Sequence, residues 1–177
     1  MDTVNEVDIV DEVDTKMTET APEQSTPDRA ETRRVLSGLE YMRKLLTGEL
    51  PPAGMVALLN LKLIEVSEGY AVFTVRPDDR HYNGLGIAHG GLAATLLDTA
   101  TGCAINAMMP AGKVFTTLEM KVNYLRPITA ECGVIRCEGK VIHIGSRVAT
   151  AEGRIVDEKG KLYAHGTATC MMFRPRE

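Results

Sequence analysis

The chain has 177 residues, 44% hydrophobic and 25% charged, with a formal net charge of −4. That length fits one domain with a substantial core, and no apolar run reaches the roughly 18 unbroken residues that a membrane span needs. The charge is uneven: residues 1–27 hold eight acids and one base, whereas the body holds 16 acids against 19 bases, a net of +3. A mildly basic body suits an anionic small molecule and falls well short of a nucleic-acid footprint.

Residues 1–27 are acidic and poor in large apolar groups, so they read as a disordered tail. Val4, Val7, Val10 and Val13 recur every three residues and would form one apolar stripe if that tail were helical. The start of the chain shows neither a basic n-region nor an apolar h-region, which makes a cytoplasmic location the default expectation. Residues 28–177 read as a single domain. Thr26, Pro27 and Asp28 signal a helix start, and Val35, Leu36, Leu39, Met42, Leu45 and Leu46 predict one amphipathic helix over 28–48. Pro51 and Pro52 prevent its continuation.

Strands are expected at 56–66 and 70–76 around a Ser67–Glu68–Gly69 turn, then at 114–125, 133–143, 147–156 and 161–173. In 114–125, Val114, Thr116, Leu118, Met120, Val122 and Tyr124 share one face by strict alternation. Mostly hairpin-linked strands around one buried helix make an α+β layout rather than an alternating βαβ one. Cys103, Cys132, Cys137 and Cys170 form no C-x-x-C pair, so neither zinc nor a disulfide framework is expected and the thiols read as small buried hydrophobes. No metal and no cofactor is called for. His81, His143 and His165 have no partnered pattern and read as surface or sheet residues.

The informative stretch is NGLGIAHGGLAATLLDTATG, residues 83–102. A dinucleotide fingerprint from Gly84 and Gly86 would need glycine or alanine where His89 stands, and the Walker and G-x-S-x-G patterns are absent. A helix beginning near Gly90 would instead turn its first amides outward, with the positive end of its dipole. Gly90 and Gly91 would let a carbonyl approach them, as a developing oxyanion requires.

Asp98 is the one acidic or basic residue, histidine aside, between Arg80 and Lys113. Small neighbours surround it, and a buried carboxylate needs partners. It reads either as a catalytic group or as a polar tie between packed helices. Gly90 and Asp98 lie eight residues apart, about 12 Å along a helix, too far for both to serve one carbon from one chain. Two antiparallel helices about a dyad would bring Asp98 of one chain near Gly90 of the other, so a homodimer with shared sites is expected.

Asn83-x5-His89-Gly90-Gly91-x6-Asp98, with Asn-Tyr-Leu-Arg-Pro at 123–127, resembles the hotdog-fold acyl-CoA thioesterases of the phenylacetate-degradation (PaaI-type) group, over roughly residues 45–173. The resemblance implies a long central helix wrapped by a curved antiparallel sheet, an acyl-CoA substrate, and dimers that often pair into tetramers. It implies Asp98 as general base or nucleophile and the Gly90 N–H as oxyanion donor. Asn83 and His89 would orient the thioester, and Thr116 would position the water from an inward face. Read without the resemblance, His89 has the alternative of a helix cap, Asn83 of a turn residue and Thr116 of a β-former. Coenzyme A carries phosphates, for which Arg126, Arg147 and the Gly145–Ser146 turn are candidates, with Lys113 the weaker one. A hotdog hydratase would want histidine five residues after Asp98, where Cys103 stands. A non-catalytic acyl-CoA sensor remains the reading from another class.

Overall fold

The computed structural model describes residues 29–175. The readings of an acidic tail and a valine stripe in residues 1–27 lie outside the described residues. The rest follows the order α1 (Arg29–Val35), α2 (Gly38–Leu46), α3 (Gly54–Leu58), β1 (Lys62–Ser67), β2 (Tyr70–Val75), α4 (Gly90–Asn106), β3 (Val114–Tyr124), β4 (Ile135–Ile144), β5 (Val148–Asp157) and β6 (Leu162–Phe173). All six strands join one antiparallel sheet in the order β1-β2-β4-β5-β6-β3, leaving β1 and β3 at its edges. Among the described residues, no helix is long and apolar enough to cross a membrane.

Helix α4 is apolar almost all round, and ten of its seventeen residues are buried. Such a helix has to be enclosed, and the sheet encloses it by presenting a floor of small residues. Gly139 of β4 pairs with Gly153 of β5, which pairs with Gly166 of β6. A Cβ on Gly139 would lie 2.2 Å from the Ala100 carbonyl oxygen, and one on Gly153 would lie 2.9 Å from Leu97. Ala71, Ala149, Ala151, Ala164 and Ala168 continue the floor, all buried. The helix therefore sits closer to the strands than larger side chains would permit.

Three local expectations need correction. The helix expected over 28–48 is two helices, because Ser37 leaves helical geometry (φ −62, ψ 159) and caps α2 through a reciprocal pair with Glu40. Ser37 N–H donates to the Glu40 carboxylate at 2.8 Å while Ser37 Oγ accepts from the Glu40 N–H at 3.3 Å. Gly38 then docks on the end of α4, donating to the Met109 carbonyl at 2.8 Å. The expected strand over 56–66 is the short helix α3 followed by β1. A brief apolar run such as Val56–Leu59 fits either state, and Asn60 at φ +52 separates them.

The third correction is in β3. Thr117 pairs with Cys170 and Glu119 with Thr169, so Leu118 is an unpaired bulge. Strict alternation ends there. Phe115 and Thr117 face α4 before the bulge, whereas Met120 and Val122 pack into the core after it.

Candidate active site

The segment between β2 and α4 hangs on a buried histidine. His81 is 4% exposed. Its Nδ1 accepts from the Asp78 N–H at 3.0 Å, which places the proton on Nε2, 3.2 Å from the Leu59 carbonyl. Its own carbonyl accepts the His89 N–H at 2.7 Å. The Arg80 guanidinium, bonded to Asp78 at 2.6 Å, holds that carboxyl down at about 2. His81 is therefore neither a surface nor a sheet residue, as expected from sequence, but the anchor of the loop. His143 and His165 are exposed on the sheet, as read.

Asn83 closes the next turn, with Oδ1 accepting the Leu85 N–H at 2.8 Å. His89 is the N-cap of α4, its Nδ1 accepting the Gly91 N–H at 2.9 Å. The capping and turn roles left open by the sequence are therefore both present. A Cβ on Gly91 would lie 2.8 Å from that ring, so glycine there admits the cap. The Gly90 N–H has no hydrogen-bond acceptor among the described residues, and it points out of the helix start where the dipole is positive.

Tyr124, at the end of β3, covers the same turn. Its hydroxyl donates to the Gly90 carbonyl at 3.1 Å, and its ring would lie 3.3 Å from a Gly90 Cβ. Tyr124 belongs to the Asn-Tyr-Leu-Arg-Pro run, where residue type alone does not mark it as a site residue. Two turns along α4, Asp98 is half-buried. One oxygen, Oδ1, accepts from the Thr117 hydroxyl at 2.8 Å, and Oδ2 has no hydrogen-bond partner among the described residues. Thr116, expected to face inward, is exposed, because the alternation that placed it there breaks at the Leu118 bulge.

Thr117→Val removes this hydroxyl at nearly constant shape. A hydrogen bond to a charged group contributes roughly 1.5–3 kcal/mol. If an aligned Asp98 carries turnover, kcat should fall by about tenfold or more, and Thr116→Val should have the smaller effect. Equal kinetics for the two variants would remove Thr117 from the site.

The basic candidates divide between the two ends of β3. Arg126 lies beside Tyr124 and donates to the Leu162 carbonyl at 2.5 Å. It lines a cleft of about 650 Å³ with Lys159, Lys161 and Tyr163. Glu131, Asp157 and Glu158 share that cleft, and the Lys161 and Lys159 N–H groups keep the Asp157 carboxyl below its ordinary value. The Gly145–Ser146–Arg147 turn lies at the other end. Lys113 donates to the Ser146 carbonyl at 2.8 Å, and the Met172 N–H donates to the Arg147 carbonyl at 2.7 Å. One chain therefore separates Arg147 from Arg126 by the length of β3, roughly 33 Å at 3.3 Å per residue.

Comparison with known proteins matches residues 85–164 to the thioesterase superfamily. An archaeal protein of Halobacterium salinarum, an esterase by name, is 33% identical over 58% of this chain and 70% of its own length. The 1,4-dihydroxy-2-naphthoyl-CoA hydrolase of Escherichia coli is 28% identical over 69% of this chain and 90% of its own. The structure of the E. coli PaaI protein from the phenylacetic acid degradation operon superposes with a TM-score of 0.66 at 25% identity, covering 80% of this chain and 96% of that one. The chain belongs to the thioesterase superfamily, and its fold is the hotdog fold of those thioester hydrolases.

Proposed function

We propose that the protein hydrolyses an acyl-CoA thioester at a site shared by two protomers. The observation that carries this reading is a pair of unmet groups on one helix. The Gly90 N–H has no acceptor, and Asp98 is fixed through one oxygen while its other oxygen is open. They are about 12 Å apart along the axis. A second α4, antiparallel about a dyad, supplies each with the other's counterpart.

β3 supports such a pairing. It is an eleven-residue edge strand, and Leu118, Tyr124 and Leu125 beside it are 58%, 57% and 48% exposed. Long edges of this kind are normally covered. A dyad there would also carry the partner subunit's Gly145–Arg147 turn toward Arg126, so the candidate phosphate ligands would meet across the interface.

In the proposed reaction the substrate carbonyl oxygen accepts from Gly90 N–H, which stabilises the charge that develops on attack. Asp98 Oδ2 either takes a proton from the attacking water or forms the new C–O bond itself, and Thr117 aligns the carboxylate for both. The C–S bond then breaks. On the base route Asp98 passes the proton taken from water to the departing thiolate. On the nucleophile route a water cleaves the acyl–Asp98 anhydride, freeing the acid and supplying that proton. Because thiols ionise near 8.5, no strong general acid is required. His89 and Asn83 shape the loop that presents Gly90, and Arg126, Lys159 and Lys161 are the donors for the CoA phosphates in a cleft whose Glu131, Asp157 and Glu158 balance their charge. The coenzyme A portion is assigned by analogy with the E. coli 1,4-dihydroxy-2-naphthoyl-CoA hydrolase.

Purified protein should release free thiol from acyl-CoA and elute at the mass of two or four 19.3 kDa chains. Turnover by a strictly monomeric species would rule out the shared site. No thiol release from short, medium and aryl thioesters would rule out the hydrolase reading.

A further inference from the structure

Away from Asp98, α2, the loop that follows it, α3 and the first two strands line an open cavity of about 440 Å³. Met42 and Leu45 of α2, Leu50, Val56 of α3, Phe73 of β2 and Cys103 of α4 supply its walls. Among the described residues no acidic one lines it. Of its two cations, Lys62 is exposed. Arg33 is already engaged, 4.3 Å above the Tyr41 ring and donating to Asn106 Oδ1 at 3.0 Å. Burial pushes the Cys103 thiol up to about 12, so that wall is neutral as well.

A volume of this size lies within the range of small-molecule sites and far above the voids of a packed core. Apolar walls hold water poorly and favour an apolar occupant. The cavity also shares α4 with the proposed site. Cys103 follows Asp98 by five residues, about 7.5 Å along the axis. At about 100° per residue, Thr95 and Thr99 lie between them around the helix. Both are small and half-buried. The helix surface from Asp98 to the Cys103 wall thus carries two small side chains, Thr95 and Thr99, and the proposed acyl path follows it.

We infer that this cavity is the acyl chamber of the enzyme and that it takes an uncharged acyl chain of medium length. The inference rests on the hydrolase reading for the position of the carbonyl, but the chamber itself is testable without turnover. The N-terminal helices then set substrate length, since α2, α3 and the Gly48–Ala53 loop form the wall away from α4.

Val56 and Leu50 are half-buried and outside the central core, so tryptophan at either position fills the chamber with little disturbance of the fold. The test compares kcat/KM for acetyl-, hexanoyl- and decanoyl-CoA in the wild type, Val56→Trp and Leu50→Trp. It also measures binding of decanoate by calorimetry to each protein, with circular dichroism as the check of folding. The wild type should favour decanoyl-CoA over acetyl-CoA, and both variants should reduce that ratio by about tenfold or more, as pocket-size discrimination does elsewhere. Decanoate binding should weaken in parallel. An unchanged ratio together with unchanged decanoate affinity in both folded variants would overturn the chamber. Decanoate binding that is lost in the variants, with no thioester cleaved by any protein, would keep the chamber and refute the hydrolase reading instead.

Discussion

Asp98→Asn should lower kcat by about 10²–10⁴-fold, the usual contribution of a positioned base, while leaving the oligomer and its unfolding curve nearly unchanged. The substitution keeps the shape, and its Oδ1 still accepts from Thr117, which bonds Asp98 at 2.8 Å in the native chain. What disappears is the basicity of the open oxygen. A companion change deletes the other half of the proposed site. Gly90 is the first residue of α4, a position that tolerates proline because its N–H is unpaired in any helix. His89 at φ −58 and ψ 139 already has the geometry that proline demands of its predecessor. Gly90→Pro therefore removes the amide donor and asks only the exposed Tyr124 ring to yield. Loss of one oxyanion donor costs about 10²–10³ in kcat.

Mixing the two inactive variants decides where the site lies. In a hybrid dimer the shared arrangement leaves one site doubly damaged and the other wholly intact, since the Gly90→Pro chain keeps its Asp98 and the Asp98→Asn chain keeps its Gly90. Random mixing makes about half the dimers hybrids, so about one quarter of wild-type activity should return. A site contained within one chain would regain none. Mixed dimers that stay inactive, with hybrid formation verified by tagged pull-down, would refute the shared site.

What the sequence made legible was whatever one residue's type decides locally. The helix start at Gly90 was readable because glycines and a histidine cap precede an apolar run, and Asp98 because a lone carboxylate in such a run demands a partner. The identity of that partner was not readable. It depends on the extra residue at Leu118, which reverses the faces of β3 and exchanges Thr117 for Thr116; bulges are set by pairing with β6 and leave alternation in the sequence undisturbed. His81 escaped for a related reason. Its partners are the Asp78 amide and the Leu59 carbonyl, and backbone groups leave no trace in residue type. The break between α1 and α2 was different, since Ser37-Gly-Leu-Glu40 is a capping box in plain view. There the apolar periodicity across 35–46 outweighed a signal that was present.

Gly139→Ala should be the most destabilising single-methyl change on the glycine floor. Its new Cβ would lie 2.2 Å from the Ala100 oxygen, 2.3 Å from the Ala100 carbonyl carbon and 2.7 Å from the Thr101 nitrogen. All three are backbone atoms in the middle of α4, so no rotamer change relieves the contact and the helix itself has to move. Overpacking of a core costs typically 1–3 kcal/mol, and a clash with backbone belongs at the upper end, about 3 kcal/mol. For a domain of this size that corresponds to a Tm lower by about 6–12 °C. Gly54→Ala is the matched control. Nothing lies within 4 Å of its new Cβ, and it begins α3, so alanine there should be neutral or slightly stabilising. Urea unfolding at one fixed protein concentration separates the two and removes any concentration dependence that the proposed dimer would bring. Equal midpoints would mean that α4 is not seated on the floor as closely as these distances require. A lowered midpoint should bring reduced kcat with it, because the helix that moves carries both Gly90 and Asp98, and its displacement pulls the carboxylate away from Thr117.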